Sequence, residues 1–158
     1  MIGTTGDKMK KIDRATTTYA MGILQSRVYR ILKKRMAKVL VRHKITSLDW
    51  AVLGTLSEHV KGMKLNELAT VLSVEPPLIT RQINALEKLG LVKRSVGKAD
   101  LRAKSTTVTA KGKRIILAVE PELKKSMRAL LEGISPQDLL GYYRVLSAIA
   151  ATDKNEQS

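Results

Sequence analysis

Apolar side chains recur at helical spacing through most of this chain. Met21, Leu24, Val28, Leu32, Met36 and Val39 follow intervals of three and four through a stretch, from about Thr16 to Arg42, that holds no proline. The pattern predicts an amphipathic helix of about seven turns. Arg27, Arg30, Lys34 and Lys38 keep the same period on another face. A helix this long on so small a chain usually packs on something beyond its own domain, and a partner subunit is the simplest choice. Ile45-Thr46-Ser47-Leu48-Asp49-Trp50 opens a second helix, with Thr46 as N-cap, Asp49 as the reciprocal acid of a capping box, and Ile45 placed to staple onto Trp50. Trp50, Val52, Leu53, Leu56 and Val60 form its expected core stripe, and Lys61-Gly62 its end. Leu65 to Leu72 reads as a short third helix, with Leu65, Leu68, Ala69 and Leu72 inward.

Ser73-Val74-Glu75 then leads tightly into a helix that starts at Pro76 and Pro77, where a missing N–H costs nothing, and stops at Gly90. Ile79, Ile83 and Leu86 make its apolar stripe. Pro77, Arg81, Ala85 and Lys88 fall on the opposite face, which has little to bury and a cation near its centre. Two short helices joined by three residues, the second with a basic outer face, are the pattern of a helix-turn-helix. Leu91 to Val96 and Lys104 to Thr109 are β-rich runs. Gly97-Lys98-Ala99-Asp100-Leu101-Arg102 between them supplies turn chemistry with cations, so a hairpin, or wing, follows the second helix directly. A basic loop beside a basic helix favours DNA contact over a merely stabilising hairpin.

Ala110 to Gly133 resumes the helical period through Ile115, Ile116, Val119, Leu123, Met127, Leu130 and Leu131. Pro121 inside it is expected to kink or interrupt the helix. Ser135-Pro136-Gln137-Asp138 is a second strong start signal, followed by a stripe of Leu139, Tyr142, Tyr143, Leu146, Ile149 and Ala150. Helices from the two ends can therefore pack together and onto a second copy. The expected fold is mainly α with a small β-hairpin wing: a winged helix-turn-helix DNA-binding lobe plus a helical dimerisation region formed by the N- and C-terminal helices. The divisions are a flexible arm over 1–15, the dimerisation region over 16–44 and 112–152, the DNA-binding lobe over 45–111, and a tail over 153–158.

Charge narrows the function. The chain carries 29 Lys and Arg against 14 Asp and Glu, for a formal charge of +15 and a pI near 10.2. That balance points to nucleic acid or an anionic surface. It is concentrated at one end, since residues 1 to 42 hold 11 basic against 2 acidic residues while 111 to 158 hold 8 against 6. Lys8, Lys10, Lys11 and Arg14 in the arm are within reach of a phosphate backbone or act as a solubilising tail. There is no cysteine, so neither disulfide nor thiol chemistry is expected. No apolar run approaches the ~20 residues of a membrane span, and the N-terminus lacks the apolar stretch of a signal peptide, so a cytoplasmic location with no membrane partner is expected. With no Cys, and with His43 and His59 sixteen positions apart and lacking a carboxylate pattern, neither a metal cage nor a nucleophile and base is visible. The expectation is no enzyme, no catalytic residue, no metal and no cofactor.

The sequence resembles the MarR family of winged-helix regulators, especially its SlyA-like branch. The resemblance runs from about Leu24 to Leu146 and rests on L-N-E-L-A at 65 to 69, V-E-P-P-L-I-T-R at 74 to 81, L-E-K-L-G-L-V-K-R at 86 to 94, D-L-R at 100 to 102 and V-T-A-K-G at 108 to 112. The resemblance implies a homodimer joined by the end helices, with the helix from Pro76 in the major groove and the wing in the flanking minor groove. Pro77, Leu78 and Arg81 match positions that touch bases or phosphates, Arg102 matches the wing arginine, and Asp100 the acid that orients it. Thr80, Gln82, Asn84 and Lys88 complete the candidate recognition helix, and Lys98 and Lys104 the candidate wing contacts. Departures are Lys64 where many relatives have a capping Thr, Ser73 where Gly is common, and Leu78 for a frequent Ser or Thr. An apolar side chain at 78 suits a thymine methyl and donates no hydrogen bond.

Relatives of this kind often hold a small aromatic or anionic effector, for which Arg27, Tyr29, His43 and Trp50 are the candidate lining, with a structural role the plainer reading of each. The leading expectation is a sequence-specific DNA-binding transcriptional regulator, a repressor in most of the family, on a pseudo-palindromic operator. The alternative is a non-sequence-specific nucleic-acid-binding or architectural protein. The absence of Phe, with one Trp and four Tyr, argues against single-strand stacking platforms.

Overall fold

The computed structural model describes residues 18–96 and 104–156. Six helices and one hairpin follow one another as α1 (Thr18–Leu40), α2 (Ser47–Glu58), α3 (Leu65–Leu72), α4 (Pro76–Lys88), β1 (Val92–Val96), β2 (Lys104–Val108), α5 (Ala110–Arg128) and α6 (Pro136–Glu156), with a 3-10 turn at Val41–His43. The chain divides into two compact units between Ser126 and Met127. The basic arm lies outside the described residues.

In the larger unit the expected stripes become one core. Val39, Leu40, Val52, Leu53, Leu56, Leu68, Ile79, Ile83, Leu86, Val92 and Val119 are all buried in it. Burying one such side chain stabilises by roughly 1.5–3 kcal/mol, so the short helices α3 and α4, marginal alone, are held by tertiary packing. The stripe of α1 is only partly used. Val39 and Leu40 are buried and Met36 packs on the core, whereas Met21, Ile23 and Leu24 stay exposed.

Local chemistry fixes the helix ends. Thr46 Oγ1 accepts from the Asp49 N–H at 3.1 Å, and Asp49 Oδ2 accepts from the Thr46 N–H at 2.7 Å, which is the expected capping box. Val60 departs from its expected core position and is 92% exposed. The reason is local: α2 stops at Glu58, and the His59 N–H bonds back to Leu56, so the residue after it leaves the helical face. Lys64 has no acceptor with which to cap α3, but its own N–H donates to Glu67 Oε2 at 3.0 Å, which is half of a capping box. Ser73 takes the left-handed conformation at φ 51°, a geometry easier for glycine.

β1 and β2 pair antiparallel, Val92 with Val108 through Val96 with Lys104. Met63 adds a one-residue third strand by exchanging both backbone hydrogen bonds with Thr106, at 3.1 and 2.8 Å, which ties the loop between α2 and α3 to the hairpin. Thr109 joins three elements: its Oγ1 donates to the Gly90 carbonyl at 2.7 Å and accepts from the Gly112 N–H at 3.1 Å. Gly112 has no room for a side chain, because a Cβ would collide with the Leu91 carbonyl oxygen and lie 2.6 Å from Val108 Cγ1. Pro121 does not interrupt α5, which runs through it to Arg128. Proline has no N–H to donate to the Leu117 carbonyl one turn earlier, and Leu117 is itself exposed. The helix ends five residues before Gly133, so Leu130 and Leu131 fall in the turn that follows.

In the smaller unit, Ser135 Oγ accepts from the Asp138 N–H at 3.1 Å and donates to its carboxylate at 2.7 Å, starting α6 as expected. The helix continues to Glu156, into the stretch expected as a tail. Its apolar residues are largely uncovered: Tyr142, Tyr143, Leu146 and Ile149 are all exposed.

Candidate nucleic-acid interface

α4 is divided sharply by burial. Ile79, Ile83 and Leu86 are fully buried, while Pro77, Arg81, Ala85 and Lys88 are all exposed on the other side. The division follows from spacing alone, since 77, 81, 85 and 88 advance by one turn at a time and repeat the buried period half a turn away. None of the four ion pairs among the described residues involves Arg81 or Lys88, which leaves two cations presented to solvent.

The other candidates on α4 are placed differently. Leu78 is half-buried. Thr80 Oγ1 donates to the Pro76 carbonyl at 3.0 Å. Gln82 turns inward, its side-chain amide donating to Oδ1 of the buried Asp49. Asn84 is exposed, and its Oδ1 accepts from Arg94 on β1 at 2.6 Å. Lys98, Asp100 and Arg102 lie outside the described residues. Lys104 opens β2 in register with Val96, and nothing is described of its side chain.

Arg94 is a residue that sequence reasoning did not single out. Its guanidinium donates to Glu87 Oε2 at 3.0 Å, and its backbone N–H donates to Glu87 Oε1 at 3.2 Å. The acid near the end of α4 thus grips the first strand of the hairpin. The signal was an acid and a cation seven positions apart, which helical periodicity does not pair because the chain reverses at Gly90 between them.

The four candidate effector residues are not brought together. Arg27 and Tyr29 sit on α1 roughly 17–20 Å before its end at 1.5 Å per residue, and Tyr29 carries Lys33 over its ring at 5.7 Å. Trp50 packs against the core. A cleft of about 400 Å³ does open between the end of α1 and α5, lined by Lys38, Val39, Arg42, Glu122, Lys125 and Ser126. His43 reaches its edge through Glu122, with Nε2 2.9 Å from Oε1. Arg42 pairs with the other Glu122 oxygen at 2.5 Å, and Arg35 donates to the Ser126 carbonyl at 3.2 Å. Among the described residues no group of three His, Cys, Asp or Glu is placed to hold a metal ion, and no helix is long and apolar enough to cross a membrane.

A short helix, a tight turn, a second helix with an exposed basic face and an antiparallel hairpin define a winged helix-turn-helix protein of DNA-binding transcription regulation. Residues 45–104 match the model of the MarR family. Solved structures agree over a longer span. CouR from Rhodococcus jostii RHA1, bound to p-coumaroyl-CoA, has a TM-score of 0.77 at 25% identity, covering 82% of this chain and 91% of its own. The transcriptional regulator PA3341 has a TM-score of 0.75 at 28% identity, covering 85% and 98%. MepR from S. aureus, solved in a DNA complex, has a TM-score of 0.71 over 83% and 96%, and at 20% identity its likeness bears on fold alone.

Proposed function

We propose that this chain is a sequence-specific repressor that binds a pseudo-palindromic operator as a homodimer, with 45–111 as the DNA-binding lobe and the end helices as the dimerisation region. The observation that carries the reading is the division of α4, with Arg81 and Lys88 exposed on a face whose opposite side is wholly buried. Among the described residues nothing covers that face. In helix-turn-helix proteins the second helix lies in the major groove. The wing, with Lys98, Asp100, Arg102 and Lys104, would reach the flanking minor groove.

Dimerisation is supported by apolar residues left uncovered on both end helices, among them Ile23, Leu24, Tyr143 and Ile149. Uncovered apolar side chains repeated along a helix suit burial against a second copy. An effector is supported by the likeness to CouR, whose structure holds p-coumaroyl-CoA. The cleft beside Lys38, Arg42 and Lys125 has the charge for a small aromatic or anionic compound.

The test is a gel-shift titration with a duplex selected from a random pool, competed by random duplex. A repressor of this kind holds the selected duplex against excess competitor, whereas a purely architectural binder gives the two duplexes equal affinity. Addition of phenolic acids or their CoA thioesters then reports on the effector.

A further inference from the structure

Asn84 is exposed on α4 beside Arg81, yet it is not free to turn. Its Oδ1 accepts from Arg94 at 2.6 Å, and the same guanidinium is pinned by Glu87 at 3.0 Å. Glu87 is held in turn by the Arg94 backbone N–H. An arginine only donates, so the amide must place its oxygen toward β1, and Nδ2 with its two hydrogens faces away. The adjacent positive charge also polarises the amide. It strengthens Nδ2 as a donor and makes Oδ1 a poorer acceptor for anything else.

We propose that Arg94 is a positioning residue for base reading, which fixes Asn84 as a hydrogen-bond donor to an acceptor on a base edge and against the N6 donor of adenine. This rests on the reading of α4 as the recognition helix. A free asparagine pairs with adenine through one donor and one acceptor. One whose oxygen is held by a guanidinium favours the acceptor-rich edge of guanine, or O4 of thymine.

Duplex selection with wild type, Asn84→Ala, Arg94→Lys and the double variant tests this. Lysine keeps the charge but loses the fork that grips Glu87 and Asn84 together. The wild type is expected to enrich an acceptor base at one position of each half-site. Each single variant should relax that same preference by about five- to tenfold, and the double variant no further than either. Additive effects, an unchanged preference in Arg94→Lys, or a loss of affinity equal for all duplexes would each overturn the proposal. If circular dichroism shows Arg94→Lys unfolded, Glu87→Gln loosens the same guanidinium and must relax the same position. A wild type that enriches no sequence sinks the operator reading and this proposal together, whereas enrichment that ignores residues 84 and 94 sinks this proposal alone.

Discussion

The side-chain amide of Gln82, on the recognition helix proposed here, donates to Oδ1 of Asp49, which lies 33 positions earlier at the start of α2. Asp49 is 7% exposed, and its other oxygen closes the Thr46 capping box. One carboxylate therefore starts α2 and ties α4 to it.

Asp49→Ala removes the cap and strands the Gln82 amide. A lost cap costs about 1 kcal/mol and a lost hydrogen bond to the half-buried Gln82 about 0.5–1.5 kcal/mol, so a loss of roughly 1.5–2.5 kcal/mol is expected in urea unfolding. A loss below about 0.5 kcal/mol would show that the network adds nothing to stability.

Arg81→Ala should weaken binding to a selected duplex by about 1–3 kcal/mol, the range for a bidentate base contact, while affinity for random duplex changes far less. Arg102→Ala should weaken binding through the flanks of the site. Wild-type titration curves for both would remove these residues from the interface.

Gly112→Ala should destabilise by about 1–3 kcal/mol, since a methyl there must push the Leu91 carbonyl aside. Thermal melting gives the sign directly, and an unchanged midpoint would mean that the approach of α5 to the hairpin relaxes at no cost.

Val60→Ser should change stability by less than about 0.5 kcal/mol, because the valine is 92% exposed. Val52→Ala, at a fully buried position eight residues earlier on α2, should cost about 1–3 kcal/mol. Equal losses from the two would return Val60 to the core.

Leu24→Glu combined with Ile149→Glu places charges among the uncovered apolar residues of α1 and α6. Analytical ultracentrifugation should give a dimer for wild type and a monomer for the double variant. The dimer interface proposed for these helices is falsified if the variant keeps the wild-type mass.

Much of the fold was legible because it depends on local chemistry. The Thr46–Asp49 and Ser135–Asp138 caps, the start of α4 at Pro76, the buried stripe of Ile79, Ile83 and Leu86, and the two paired runs of the hairpin are all set within a few residues. Where local rules misled, the chain had turned. Val60 has helical spacing from Leu56, but α2 had already ended at Glu58. Pro121 was expected to kink or interrupt α5, and the helix runs through it to Arg128 without interruption.

The site divides along the same line. Periodicity alone separates the exposed Arg81 and Lys88 from the buried residues of α4, because a helix that packs on one side must present the other. Periodicity could not distinguish Arg81 from Gln82 and Asn84, which are polar neighbours on one helix. Only the tertiary structure turns Gln82 inward to Asp49 and locks Asn84 to Arg94, since those partners come from elements 33 and 10 positions away. The sequence by itself determined which face of α4 is presented. Packing of α2 and β1 against that helix decided which of its polar groups remain to be used, because a hydrogen bond is chosen by distance in space.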